Sequence, residues 1–143
     1  MSNIYEVKGN LFSCKYIFMP NVAIAHCVSA DYALGAGFAR EIENRYSIRN
    51  KLKQIGSGVY PDSIYCDSII NIVTKQNYWN KPTYETFTLA LIKTLSVCKE
   101  HNVKLLIMPR IGCGLDKLDW DKCREIIKNE LVDNGIDCIV YSL

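Results

Sequence analysis

Lys75 and Asp116 are the two residues of this chain whose types and positions point to covalent chemistry. Lys75 directly follows an apolar, β-branched segment at 68–74 that is typical of a buried strand. Most lysines in such a place are solvated surface residues, but a lysine partly desolvated in a cleft can present a free amine, a nucleophile towards a carbonyl-like carbon. Asp116 lies in a glycine-containing loop, where its carboxylate would either cap the next helix or face an uncharged part of the ligand. Together the two residues could supply attack and proton transfer.

The loop that contains Asp116 has the pattern of an anion-binding segment. Residues 105–108 are an apolar run of strand length, and a helical pattern begins at Asp119. Between them, Gly112 and Gly114 can adopt backbone angles closed to other residues and let main-chain N–H groups approach a ligand, while the following helix N-terminus favours negative charge. The segment lacks the Gly-Lys-Ser/Thr ending of a Walker loop and the second spacing of a dinucleotide fingerprint, so neither of those sites is indicated.

A second glycine segment and two polar residues follow the predicted strand at 22–28. The Gly-Ala-Gly at 35–37 opens a helical pattern, as a phosphate-binding loop would, although small residues at a helix start also serve close packing. Ser29 and Asp31 come directly after the strand. Because ligands of parallel α/β sheets bind beyond the carboxyl ends of the strands, these residues could converge with Lys75 and Asp116 on one cleft.

The histidines, cysteines and exposed aromatic residues give weaker signals. His26 lies inside an apolar run and is expected to be a satisfied core residue, whereas His101 lies at a predicted helix end, where positive charge suits the dipole. Neither has a metal-ligand partner at a useful spacing, so we expect no metal site. A thiol nucleophile would need Cys27 or Cys113 to meet a histidine in space alone. The Tyr-Trp pair at 78–79 could stack on a base or a ribose.

The elements that must position these residues alternate between strands and helices. Apolar strands alternating with amphipathic helices predict a mostly parallel sheet covered on both faces, a three-layer α/β/α sandwich. Strands are predicted at 4–7, 22–28, 68–74, 105–108 and 136–141, and helices at 38–46, 48–55, 84–99 and 120–131.

The composition is that of an ordinary globular protein. The 143 residues predict a single domain spanning 1–143, and 49% hydrophobic residues with a net charge of +2 give no strong case for nucleic-acid affinity. The seven cysteines are scattered and form no Cys-x-x-Cys pair, which indicates reduced thiols in a cytosol-like compartment. We find no signal peptide and no run of membrane-spanning length, so the predicted location is the cytoplasm, with diffusion into a nucleus allowed.

Six short motifs occur in order along nearly the whole chain. They are Lys-Gly-Asn-Leu-Phe at 8–12, Ala-His-Cys-Val-Ser at 25–29, Gly-Ala-Gly at 35–37, Thr-Lys at 74–75, Lys-Pro-Thr-Tyr-Glu at 81–85 and Met-Pro-Arg-Ile-Gly-Cys-Gly-Leu-Asp at 108–116. Together they resemble a macrodomain, and more narrowly the terminal ADP-ribose protein glycohydrolase type. The last motif and Thr-Lys are the most specific, since many macrodomains share the glycine trio.

The resemblance implies a cleft for ADP-ribose with two phosphate-embracing loops, at 35–38 and 109–115. Ser29 would bind the distal ribose. Asn10 stands where macrodomains usually have an aspartate that accepts from the adenine amino group, and it keeps an acceptor without the charge. The binding residues implied in this way are Asn10, Leu11, Ser29, Gly35, Ala36, Gly37, Phe38, Thr74, Pro109, Arg110, Ile111, Gly112, Cys113, Gly114 and Leu115.

The resemblance also implies a reaction. Lys75 would attack the anomeric carbon of the distal ribose and displace a glutamate or aspartate carboxylate, and Asp116 would act as acid/base and resolve the lysine adduct. No cofactor is expected, and the protein is expected to act as a monomer. ADP-ribosylated proteins are the expected substrates, with ADP-ribosylated nucleic acid and O-acetyl-ADP-ribose as open alternatives. A non-catalytic ADP-ribose reader and an ADP-ribose 1″-phosphate phosphatase are competing functions, neither of which needs a lysine nucleophile.

Overall fold

The computed structural model describes residues 2–143, so Met1, which the single-domain prediction includes, lies outside the described residues. Its centre is a six-stranded sheet made of β1 (Ile4–Lys8), β2 (Val22–Ser29), β3 (Asp62–Cys66), β4 (Ile69–Lys75), β5 (Leu105–Pro109) and β6 (Asp137–Ser142). Their order across the sheet is β1-β6-β5-β2-β4-β3. All neighbouring strands are parallel except β3, which pairs antiparallel with β4 at the edge.

Helices cover both faces of this sheet. They are α1 (Gly37–Tyr46), α2 (Arg49–Ile55), α3 (Tyr84–Glu100) and α4 (Trp120–Glu130), with short 3-10 helices at Leu11–Ser13 and Val132–Asn134. Helices α3 and α4 bury residues such as Phe87 and Ile127 against one face, and α1 and α2 bury Ile42 and Leu52 against the other. The predicted three-layer sandwich with a mostly parallel sheet is therefore confirmed. Within residues 2–143, none of the helices is long and apolar enough to cross a bilayer.

The edge strand β3 is the one strand that the sequence pattern did not predict. Its five residues include two polar ones, and only Ser63 and Cys66 are buried. An edge strand with one partner has no need of the continuous apolar run that marks the central strands, so hydrophobic periodicity does not detect it. A smaller difference is that Ile48 precedes α2 as its N-cap instead of forming its first turn.

The pairing of β2 with its two neighbours opens a space at the carboxyl edge of the sheet. β2 pairs with β5 only from Val22 to Ile24, whereas it pairs with β4 as far as Ser29. A register shift after Val28 sets Ser29 beside Lys75, the last residue of β4. The strands β2 and β5 therefore separate towards their carboxyl ends, which is where parallel α/β sheets bind ligands.

Candidate active site

A cleft of about 650 Å³ occupies the space between the separating strands. This volume lies within the range of roughly 300–1,000 Å³ that is common for small-molecule sites. Its walls come from four segments: the end of β2, the loop that leads into α1, the loop that begins at Lys75, and the loop after β5. The predicted site residues in its walls are Ser29, Gly35, Ala36, Gly37, Phe38, Lys75, Pro109, Arg110, Ile111, Gly112, Gly114, Leu115 and Asp116.

Lys75 and Asp116 form an ion pair in this cleft. The Lys75 Nζ lies 2.6 Å from the Asp116 Oδ1, and each side chain is only 13% exposed. Two partly desolvated charges at this distance stabilise each other, and a proton can pass directly between amine and carboxylate. The alternative that Asp116 caps the next helix is wrong, because α4 begins at Trp120 and Asp119 is its N-cap, accepting from the Lys122 N–H.

Two backbone segments in the walls have the features of anion sites. Helix α1 begins at Gly37 with a positive φ of +59°, and its N-cap Ala36 offers no side-chain cap to the first-turn N–H groups. In the loop after β5, Gly112 has a φ of +81°. Gly114 does not use the left-handed region, so the backbone freedom predicted for both glycines is used by Gly112 alone.

Ser29 and Asp31 meet at the end of β2. The Ser29 hydroxyl donates to Asp31 Oδ1 at 2.5 Å, and the backbone N–H groups of Ala33 and Tyr78 donate to the same carboxylate at 3.1 and 2.9 Å. Burial raises the pKa of Asp31, but the three hydrogen bonds outweigh it, with that from Ser29 the largest among them, and lower the pKa overall. The carboxylate therefore stays ionised at neutral pH.

His26 is a core residue with one nitrogen unsatisfied. The amide of Asn71 donates to the carbonyls of Ile64 and Ile69, so its oxygen must accept from the His26 Nε2–H, at 2.5 Å. Burial lowers the pKa of His26 to about 4, so the ring is neutral at pH 7. Its Nδ1 is buried without a partner, and the prediction of a fully satisfied core histidine therefore holds for one nitrogen only.

The mouth of the cleft carries aromatic and basic side chains after β4. Tyr78 and Trp79 pack edge to face with their ring centroids 5.0 Å apart, and each is 65% exposed. Tyr78 lines the cleft, where it could contact a ligand, and its stacking on a ligand ring stays a prediction. Lys81 spans the mouth, since its Nζ donates to the Leu115 carbonyl at 2.5 Å.

Comparison with known proteins shows the family of this chain. A family model described as Macro domain matches residues 31–127. The human protein named ADP-ribose glycohydrolase OARD1 is 34% identical over 148 aligned positions, covering 99% of this chain and 93% of its own length. This chain belongs to the macrodomain family.

Solved structures of other macrodomains share its fold. The macrodomain of Mycobacterium tuberculosis DarG superimposes with a TM-score of 0.80 at 19% identity, covering 100% of this chain and 99% of that one. Thermosipho africanus DarTG, whose structure contains ADP-ribose, superimposes with a TM-score of 0.73 at 19% identity, covering 99% of this chain and 42% of that one. The resemblance to a macrodomain inferred from the motifs is confirmed.

Four predicted binding residues of this macrodomain do not line the cleft. The Asn10 side chain accepts from the Phe12 N–H and caps the first 3-10 helix, and Leu11 is buried in the core beside α1. Thr74 is 1% exposed, and its hydroxyl is buried without a partner. Cys113 points its thiol back at the Ile111 carbonyl, 3.4 Å away.

Several cleft residues of this macrodomain were not predicted as site residues. Most contribute apolar surface or backbone that no sequence pattern distinguishes from core. Lys81 had a signal, because it begins one of the motifs that carry the family resemblance. The unpredicted lining residues are His26, Cys27, Val28, Ala33, Leu34, Ala39 and Lys81.

The thiols near the cleft are poor nucleophiles. Burial raises the pKa of both Cys27 and Cys113, so each stays protonated at neutral pH. Over residues 2–143, three or more His, Cys, Asp or Glu side chains nowhere come close enough together to hold a metal ion.

Proposed function

We propose that this macrodomain is a hydrolase that removes mono-ADP-ribose from glutamate and aspartate side chains. The observation that carries the proposal is the pairing of the Lys75 Nζ with the Asp116 Oδ1 at 2.6 Å inside the cleft. A protein that only binds ADP-ribose has no need of an amine and a carboxylate in contact. The name of the human relative, an ADP-ribose glycohydrolase at 34% identity, supports the same activity.

In the proposed reaction, a proton passes from Lys75 to Asp116 and later back again. Asp116 takes a proton from the Lys75 ammonium, and the free amine attacks the anomeric carbon of the distal ribose. The bond from this carbon to the ester oxygen breaks, and the substrate carboxylate leaves with the electron pair. The glycosylamine opens to an imine, water adds to the same carbon, and Asp116 returns the proton as the carbon–nitrogen bond breaks. The net reaction consumes one water and releases free ADP-ribose, the carboxylate of the acidic side chain and one proton to solvent.

The rest of the cleft supports this substrate. The uncapped start of α1 and the loop containing Gly112 offer backbone N–H groups to the two phosphates. Ser29 lies beside Lys75 in the β2–β4 register, which supports a contact between its hydroxyl and the ribose that Lys75 would attack. We propose that the protein acts in a reducing compartment such as the cytoplasm, since its seven cysteines are free thiols. We also propose that it acts as a monomer.

The proposal is tested by turnover on glutamate-linked mono-ADP-ribose, beside serine-linked material. We expect release of ADP-ribose from the glutamate-linked substrate by the wild-type protein and loss of release in Lys75→Ala, with ADP-ribose affinity changed by no more than a few-fold. The matched control is Lys128→Ala, which breaks a Lys–Asp pair with Asp133 on the surface of α4. It should leave turnover unchanged.

The role of Asp116 has its own readout. After incubation of Asp116→Ala with ADP-ribose, we expect intact-mass spectrometry to find one ADP-ribosyl group retained on the protein. Full turnover by Lys75→Ala would overturn the lysine mechanism. Binding of ADP-ribose by a wild-type protein that cleaves neither linkage would assign it as a reader, and release of phosphate from ADP-ribose 1″-phosphate alone would assign it as a phosphatase.

A further inference from the structure

Asp31 connects three separate walls of the cleft through one side chain. Its Oδ1 accepts from the Ser29 hydroxyl and from the Ala33 N–H, and its Oδ2 accepts from the Tyr78 N–H. Ser29 ends β2, Ala33 begins the loop that leads to α1, and Tyr78 lies three residues after Lys75. All three partners line the cleft, whereas Asp31 itself is not among the lining residues.

The loop that Asp31 holds is under backbone strain. Tyr32 and Leu34, on either side of Ala33, have φ values of +53° and +45°, a region that residues other than glycine seldom occupy. Such conformations persist only where surrounding contacts fix them. The Asp31 carboxylate fixes this loop by accepting from the Ala33 N–H, and Arg49 fixes it by donating to the Ala33 and Leu34 carbonyls.

The bond from Ser29 to Asp31 decides what Ser29 can offer a ligand. A serine hydroxyl has a single hydrogen, and an ionised carboxylate can only accept. Since that hydrogen is donated to Asp31, the Ser29 oxygen has only its lone pairs to offer a ligand in the cleft. It can therefore accept from a sugar hydroxyl but cannot donate to one.

We propose that Asp31 is a positioning residue for the distal ribose: it fixes the Ser29 hydroxyl as an acceptor beside Lys75 and ties the loop at Tyr78 to the segment at Ser29 and Ala33. The assignment rests on the proposed function only in placing the reacting ribose beside Lys75. Asp31 touches no reacting atom in this scheme and acts through Ser29 and Tyr78.

The variant Asp31→Asn separates this role from a general effect on folding. An amide keeps one acceptor and replaces the other with a donor. If its oxygen faces Ser29 and Ala33, the NH₂ group opposes the Tyr78 N–H. If the amide turns over, the NH₂ group forces Ser29 to accept from it. Either arrangement disturbs the distal-ribose end of the cleft, while the side-chain volume is unchanged.

The test compares the affinities of two ligands, ADP-ribose and ADP, which differ by the distal ribose alone. Titration calorimetry gives the ratio of Kd for ADP to Kd for ADP-ribose in each protein. We expect Asp31→Asn to reduce this ratio at least fivefold while leaving the affinity for ADP within about twofold. A merely structural role would weaken both ligands equally and leave the ratio unchanged, and that result would overturn the proposal.

Two further variants complete the test. Asp62→Asn is the matched control, because this carboxylate also accepts a backbone N–H, from Ser63, but lies outside the cleft walls. It should leave the ratio unchanged. If Asp31→Asn fails to fold, Ser29→Ala must reduce the ratio by itself, since it removes the acceptor that Asp31 orients. An unchanged ratio in Ser29→Ala would also overturn the proposal.

Turnover provides the second readout. On glutamate-linked mono-ADP-ribose, Asp31→Asn should lower kcat at least tenfold with a much smaller change in KM, because the phosphate loops still bind the substrate. If the wild-type protein cleaves nothing, the proposed function fails, while the ratio of the two affinities still decides the role of Asp31. If wild-type protein binds ADP-ribose no more tightly than ADP, the assignment of Asp31 fails.

Discussion

Gly112 should be the least replaceable glycine of the loop after β5. Its φ of +81° is unfavourable for any residue with a side chain, and a Cβ placed there would lie 3.1 Å from the Cys123 Sγ, 3.2 Å from Phe87 Cε1 and 3.3 Å from Leu118 Cδ1. Cys123 and Phe87 are fully buried. The crowding therefore falls on packed core atoms that cannot easily move aside.

The loss of stability in Gly112→Ala has two causes, the left-handed backbone and the crowding of the core. Left-handed backbone costs roughly 1–2 kcal/mol for a residue with a Cβ, and overpacking a core costs about 1–3 kcal/mol. The smaller entropy of the unfolded alanine chain offsets about 0.4–1 kcal/mol of this. We expect the free energy of unfolding to fall by about 3 kcal/mol, which for 143 residues corresponds to a Tm lower by roughly 10 °C.

Gly114 provides the matched control, two residues away in the same loop. Its φ is not in the left-handed region, and a Cβ there would meet no atom within 4 Å. Gly114→Ala should therefore change the Tm by no more than about 3 °C, in either direction. Thermal melts followed by circular dichroism measure both variants. Equal shifts for Gly112→Ala and Gly114→Ala would refute the reasoning from φ and packing.

Three further predictions concern the core, a helix cap and the cleft mouth. Burial lowers the pKa of His26 to about 4 from about 6.5, so between these pH values the unfolded chain binds more protons than the folded one. The free energy of unfolding should therefore fall by roughly 3 kcal/mol from pH 6.5 to 4. Urea titrations at the two pH values should show a smaller fall for His26→Gln. Asp119→Ala removes the N-cap of α4 and should cost about 1 kcal/mol in the same titrations; no loss would argue against the cap. Lys81→Met removes the donor to the Leu115 carbonyl and should weaken ADP-ribose binding about two- to tenfold by calorimetry; unchanged affinity would mean that the link across the mouth does not order the loop.

The central features of the site could be predicted because they depend on where strands end. Lys75, Ser29 and Asp116 each follow an apolar run, and parallel topology brings such positions to one edge of the sheet. This rule, together with the family resemblance, was enough to predict that the Lys75 amine and the Asp116 carboxylate lie in one site. By contrast, β3 has an apolar pattern too weak to separate it from a loop.

Contacts made by backbone groups could not be predicted. Any residue other than proline has an N–H, so nothing in the identities of Ala33 or Tyr78 indicates that their N–H groups bind Asp31. The partner of His26 was hidden for a related reason. Asn71 is 45 residues away, and only the β2–β4 register brings the two side chains together. That register includes a shift after Val28 which hydrophobic periodicity does not report.

Because β2 separates from β5 beyond Ile24, the backbone amides on the two sides of β2 differ in their exposure to solvent. On the side facing β4, ladder hydrogen bonds continue to Ser29 and keep deuterium out of the amides whether or not a ligand is present. On the side facing β5, the amides beyond the last pair border the cleft, where a bound nucleotide would slow their exchange. In hydrogen exchange, the β2 amides that face β4 thus serve as an internal reference, and those that face β5 report whether the cleft is occupied.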